Sequence, residues 1–209
     1  MDKLFVLGLT GPTGSGKGEA ARILGEKGFF VIDADRLVRQ VQTPGEPCLA
    51  ALVKEFSPAI LFPDGTLNRK ELARIAFADP EKTKRLNAIV HPAVIALSHE
   101  LLRQAQREGY AWAVIDAPLL FESGMDKICD KTAVVTAPAG RRLSRIMARD
   151  GITREEAEIR MGAQPEDGYY TSRASVVLRN DRELEDLRAE AAELAENLMR
   201  WRLEKLSNG

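Results

Sequence analysis

This sequence lacks the features that would place it in several broad classes. Its two cysteines, Cys48 and Cys129, lie far apart and form no CxxC pair. Two unpaired thiols are therefore expected, not a disulfide framework or a cysteine metal site. Neither sign of charge dominates: 30 Lys and Arg face 31 Asp and Glu, for a net charge of −1. A general nucleic-acid binder normally carries a basic surplus, so no nucleic-acid partner is expected, although local basic clusters remain open. Long apolar runs are missing as well. After Met1-Asp2-Lys3 come about seven mostly apolar residues ending at Thr10, too few for a signal peptide or a membrane span. The expectation is a cytoplasmic protein without a membrane partner. There is no internal repeat and no low-complexity tract.

What is present suits a globular protein. Of the 209 residues 44% are hydrophobic and 29% charged, enough for a core domain with inserted lobes. Leu4–Thr10 (LFVLGLT) is a nearly continuous apolar run, the pattern of a strand buried on both faces of a parallel sheet. A glycine-rich turn follows, then a helical pattern over Glu19–Lys27 that Gly28 ends. Phe29–Ile32 is a second short strand, closing on Asp33-Ala34-Asp35. Residues 36–110 read as mostly helical. Asn68 with Glu71 and Asp79-Pro80 mark helix starts, and Pro44-Gly45-Glu46-Pro47 and Pro63-Asp64-Gly65 mark turns. Trp112–Ile115 and Thr132–Thr136 are further strands. A basic helix over 140–150, a helix capped by Thr153 with Glu156, a last strand over Ser175–Leu178 and an amphipathic helix over Glu183–Leu206 complete the chain. Strands alternating with helices specify an α/β domain with a parallel sheet.

Gly11-Pro12-Thr13-Gly14-Ser15-Gly16-Lys17 matches the first seven positions of the phosphate-loop pattern G-x-x-x-x-G-K-[ST], directly between a strand and a helix. Glycines let backbone N–H groups turn inward as an anion nest, the helix N-terminus adds partial positive charge, and Lys17 adds a full one. A bound nucleoside triphosphate, ATP with Mg²⁺, is the expectation. Glu19, in the first helical turn, is counted with the nucleotide contacts. Gly18 departs from the pattern, because a Ser or Thr hydroxyl normally ligates the metal there. Losing one ligand hydroxyl costs on the order of 1–3 kcal/mol unless water replaces it. Gly18 therefore also keeps open a non-catalytic ATP-binding regulator.

In an open parallel sheet ligands sit beyond the carboxyl ends of the strands, where Asp33, Asp35 and Asp116 fall. A hydroxyl acceptor needs an orienting carboxylate, and Mg²⁺ needs an oxygen ligand. Asp33 is assigned the first role and Asp116 the second, against the alternative that each only caps a helix or forms a turn. Asp35, just ahead of a helical stretch, is read as that cap. Arg141, Arg145 and Arg149 share one helix face by their spacing and can converge on one target, while Arg142 is read as solvated. His99 is read as structural, and neither His99 nor His91 completes a metal or nucleophile set. Arg69 is open between a substrate phosphate and an acidic partner.

Taken together, these residues resemble the dephospho-CoA kinase family over essentially the whole chain. The likeness runs through Thr10–Lys17, Asp33-Ala34-Asp35, Pro44-Gly45, Asp64-Gly65 with Asn68-Arg69 and Leu72, Phe77, and His91-Pro92. It continues through Asp116-Ala117-Pro118-Leu119-Leu120-Phe121-Glu122, Arg145, Arg149-Asp150, Gln164, Ala174 and Asn180. The resemblance implies ATP-dependent phosphorylation of the ribose 3′-hydroxyl of dephospho-CoA to give CoA and ADP. It implies a phosphate-loop NTPase-type parallel sheet of about five strands with flanking helices. It also implies a nucleotide-binding core (1–35, 111–139 and 174–209), an inserted helical substrate lobe (36–110) and a helical lid (140–173). By the same resemblance Asp33 matches the catalytic base, Arg145 and Arg149 are phosphate contacts, and His91, Pro118 and Leu119 are substrate-side residues. Departures are Gly18, Arg142 where Gln is common, and Ser175 where Asp is common. A kinase acting on another small molecule, a nucleoside or nucleotide, is the competing enzyme. A monomer is the working expectation.

Overall fold

The computed structural model describes residues 3–207. Among them five strands, β1 (Phe5–Thr10), β2 (Phe30–Asp33), β3 (Trp112–Asp116), β4 (Lys131–Thr136) and β5 (Val176–Arg179), form one parallel sheet in the order β2-β3-β1-β4-β5. The helices are α1 (Lys17–Glu26), α2 (Ala34–Val41), α3 (Pro47–Phe56), α4 (Arg69–Ala76), α5 (Pro80–Arg107), α6 (Ala139–Asp150), α7 (Arg154–Gly162), α8 (Asp167–Thr171) and α9 (Leu184–Ser207). The chain divides into two compact units: residues up to Ile32 with those from Ala105 onward, and Asp33–Gln104.

In the first unit β1 is central and buried at all six positions, as its unbroken apolar run requires. It pairs in parallel with β3 (Leu7 opposite Val114) and β4 (Leu9 opposite Ala133). Its alternate residues serve two layers. Phe5, Leu7 and Leu9 join Ala20, Ala21 and Leu24 of α1 and Leu187, Ala191, Leu194 and Leu198 of α9 in one apolar cluster. The stripe along α9 is thus core packing. On the other side Gly8 lies so close to Leu120 and Cys129 that an added Cβ would come within 2.8 Å of the Cys129 sulfur. Partial burial there pushes the Cys129 thiol up to about 12, which disfavours its thiolate, and Cys48 is likewise a free thiol.

The second unit is helical, with one small departure from the sequence expectation. Leu61 and Leu67 form an antiparallel bridge around the Pro63-Asp64-Gly65 turn. The Asp64 carboxylate accepts from the Thr66 amide and hydroxyl, stabilising that turn locally. Asn68 accepts from the Glu71 amide at 3.1 Å and starts α4, and Asp79 accepts from the Glu81 amide at 2.9 Å at the start of α5. The helix α5 continues through Pro92. In the first unit Thr153 and Glu156 form a complete capping box on α7.

The strand order places a topological switch beside β1, since the chain leaves β1 toward one edge and β4 toward the other. The glycine-rich loop emerges at that point.

Candidate active site

The loop between β1 and α1 is held open by glycine geometry. Gly14 and Gly16 have φ of 77° and 100°, in the left-handed region, so successive amides turn toward one side. Each also abuts a neighbour: a Cβ at Gly14 would lie 2.7 Å from the Arg142 carbonyl oxygen, and one at Gly16 would lie 2.3 Å from Nδ2 of Asn180. The Thr13 amide donates to Oε1 of Gln164 at 2.8 Å, and the Ser15 amide donates to the Pro12 carbonyl. Among the described residues the amides of Gly14, Gly16, Lys17 and Gly18 find no intramolecular acceptor. Those four donors sit at the N-terminus of a ten-residue helix, where the backbone dipole also favours an anion. The Ser15 hydroxyl is buried without a hydrogen-bond partner. Residues 11–17 thus fit a polyphosphate.

Lys17 and Asp116 form an ion pair through Nζ and Oδ1, with side chains only 16% and 14% exposed. This pair fixes the ammonium at the carboxyl end of β3, where Asp116 closes the strand. Pro118 accepts from the Thr10 hydroxyl at 3.2 Å through its carbonyl, and Leu119 is exposed. Among the described residues no group of three or more His, Cys, Asp or Glu is arranged for a metal. Magnesium commonly keeps several waters and binds through one or two carboxylates plus substrate phosphates. A single carboxylate beside the loop fits a metal that arrives on the triphosphate. Gly18 faces open space, with nothing within 4 Å of an added Cβ.

Three basic residues of α6 part company. Arg145 donates to the Gly14 carbonyl (3.3 Å) and to Oδ1 of Asn180 (3.0 Å), beside the loop. Arg141 donates to the Arg182 carbonyl, and Arg149 pairs with neighbouring Asp150 at 2.7 Å. The shared face therefore does not converge on one target in this structure, because each guanidinium finds its own local acceptor. Arg142, expected to be solvated, has a side chain only 11% exposed, with its guanidinium 3.4 Å from Asp167. Its burial follows from the absence of a side chain at Gly14, which lets α6 settle against the loop.

Two carboxylates also differ from expectation. Asp33, not Asp35, caps α2: its Oδ1 accepts from the Arg36 amide at 3.0 Å, and Asp35 lies within the first helical turn. Asp33 is nevertheless exposed at the end of β2, so capping does not sequester it. Glu19 is engaged elsewhere than the phosphate nest. Arg22 at 2.7 Å and Arg188 at 2.5 Å take its carboxylate, holding it down to about 2, and its amide donates to the Gly16 carbonyl.

In the second unit Arg69 is exposed and donates to the Arg39 carbonyl at 3.4 Å. His91 is half-buried on α5, and burial lowers its pKa, favouring neutral imidazole at neutral pH.

Sequence reading gave no role to Gln164, Asn180 and Asp167. Asn180 follows β5, so the strand-end rule offered a signal for it. Gln164 had a signal only in the family likeness, which gave it no role, and Asp167 carried none, because its contact with Arg142 is long-range.

A family model for dephospho-CoA kinase matches residues 5–186. The chain belongs to the dephospho-CoA kinase family. A Moorella thermoacetica member, described as dephospho-CoA kinase, is 43% identical over 198 residues, covering 94% of this chain and 93% of its own. Among solved structures, a Thermus thermophilus protein superposes with a TM-score of 0.78 at 38% identity, covering 93% of this chain and 98% of that one. The dephospho-CoA kinase of Campylobacter jejuni superposes with a TM-score of 0.70 at 26% identity, covering 94% and 98%. Family membership and the parallel fold agree with the expectations from sequence.

Proposed function

We propose that this chain transfers the terminal phosphate of ATP to the ribose 3′-hydroxyl of dephospho-CoA, giving CoA and ADP. One observation carries this reading: four open amides and Lys17 form an anion cradle in a chain that belongs to the dephospho-CoA kinase family. In this reading Gly11–Gly18 wrap the phosphates and Lys17 exchanges Asp116 for the outer phosphate oxygens. Arg145, beside Gly14, and Arg149 balance the charge that spreads over the transferred group. Asp33 orients the acceptor hydroxyl and takes its proton as the new oxygen–phosphorus bond forms and the bond to the ADP oxygen breaks. Asp116 and water would hold Mg²⁺, which when bound neutralises phosphate charge and aligns the triphosphate.

Arg69, His91, Pro118 and Leu119 are assigned to the dephospho-CoA side, with neutral His91 serving as a hydrogen-bonding group. Residues 140–173 act as a lid, 36–110 as the substrate lobe and the remainder as the core. The protein is read as a cytoplasmic monomer whose partners are small molecules. No helix among the described residues is long and apolar enough to cross a membrane. The test is ADP release with Mg-ATP and dephospho-CoA, compared with AMP, uridine or no acceptor. Activity with dephospho-CoA alone is expected. Turnover of AMP or uridine instead would make it a different small-molecule kinase, and ATP binding without turnover would make it a regulator.

A further inference from the structure

Asn180 stands at the exit of β5 with its side chain buried, 1% exposed, and its backbone N–H fixed to the Thr136 carbonyl at 2.8 Å. Its carboxamide spans two parts of the site. Nδ2 donates to the Ser15 carbonyl at 2.8 Å, and Oδ1 accepts from Nη2 of Arg145 at 3.0 Å. Arg145 closes the circuit by donating through Nη1 to the Gly14 carbonyl at 3.3 Å. Neighbouring chemistry fixes the amide orientation, because a carbonyl can only accept and a guanidinium can only donate. The group fits against Gly16, where an added Cβ would come within 2.3 Å of Nδ2. Among neutral side chains of this size, only a carboxamide offers a donor and an acceptor in one rigid plane at this reach.

We propose that Asn180 is a positioning residue that ties the Arg145 guanidinium to the phosphate loop, so that arginine and loop present themselves to the transferred phosphate as one preassembled unit. This rests on the kinase reading above and deepens it. Asn180 touches no reacting atom. It acts through Ser15, whose carbonyl it holds, and through Arg145, whose approach it aims.

The experiment is a double-mutant cycle on the full-length protein with Asn180→Ala, Arg145→Ala and the double variant, adding the isosteric Asn180→Asp. The readouts are kcat and KM for ADP release with Mg-ATP and dephospho-CoA, ATP affinity by calorimetry without acceptor, and thermal midpoint. Asn180→Ala is expected to lower kcat by about 10- to 100-fold while KM for dephospho-CoA stays within about threefold. The double variant is expected to be no more than about threefold slower than Arg145→Ala alone, because both changes break one circuit. Asn180→Asp, which keeps the acceptor for Arg145 but sets a carboxylate against the Ser15 carbonyl, is expected to stay folded and still lose about tenfold or more in kcat. Effects that multiply in the double variant would overturn the proposal. So would wild-type turnover by Asn180→Asp, or a lowered thermal midpoint with kcat intact. If the parent protein turns over no acceptor, the kinase reading fails separately. The cycle is then read in ATP affinity, where the same non-additivity is expected and simple additivity would overturn the positioning role.

Discussion

Asp33 carries two roles that a single substitution separates. Its Oδ1 accepts from the Arg36 amide at 3.0 Å and caps the eight-residue α2, and its exposed carboxylate at the end of β2 is the proposed base. Asparagine caps a helix about as well as aspartate, whereas alanine forfeits about 1 kcal/mol. For a chain of this size each kcal/mol moves the thermal midpoint by about 2–4 °C. Asp33→Asn should therefore melt within about 1 °C of the parent, while Asp33→Ala should melt about 2–4 °C lower. Basicity behaves differently, since neither asparagine nor alanine takes a proton, and loss of a general base costs about 10²- to 10⁴-fold. Both variants should show that fall in kcat for ADP release, measured beside calorimetric melting. If Asp33→Asn turned over within about threefold of the parent, the base assignment would fail. A melting loss matching that of Asp33→Ala would instead refute the cap.

Three further substitutions test the loop and its surroundings. Gly16→Ala forces a left-handed residue against Asn180, costing about 1–2 kcal/mol in backbone strain and about 1 kcal/mol for the displaced hydrogen bond. A drop of roughly 4–12 °C in melting midpoint is expected, and an unchanged midpoint would contradict the packing described. Gly18→Ser meets no obstacle in the fold, so stability should hold while half-saturating Mg²⁺ falls by about tenfold or more; an unaltered metal titration would show that water already fills the role. Glu19 is held down to about 2 by Arg22 and Arg188, against an ordinary value of 4.5. A depressed carboxylate contributes its full stability above the unfolded value and loses it as pH falls toward the folded one. The stability difference between the parent and Glu19→Gln should be flat near neutral pH and close between pH 4.5 and about 2. A pH-independent difference would remove the ion-pair explanation.

The elements most legible in the sequence were those whose signals are local. The apolar run before Gly11, the Asn68 and Asp79 starts and the Thr153–Glu156 box each depend on neighbours within a few residues, and the structure has them in place. Assignments that depended on direction fared differently. Helical spacing put Arg141, Arg145 and Arg149 on one face, but spacing does not say which acceptor each reaches, and here each finds a separate one. The same blindness hid Arg142, whose burial is set by a glycine more than a hundred positions earlier. Within the Asp33-Ala34-Asp35 string the cap lies two residues earlier than expected, because β2 runs on to Asp33 and the helix begins directly after it. Glu19 faced the nest by position alone. Only the folded chain brings up Arg188 from α9 to claim it.

Calorimetric titration of ATP into the parent protein and into Lys17→Met tests the phosphate cradle directly. Methionine keeps most of the stem and removes the charge, so the predicted loss is one charge-assisted contact of about 1.5–3 kcal/mol, or roughly 10- to 100-fold in affinity. Equal ATP affinity in the two proteins would contradict the placement of the triphosphate on residues 11–17.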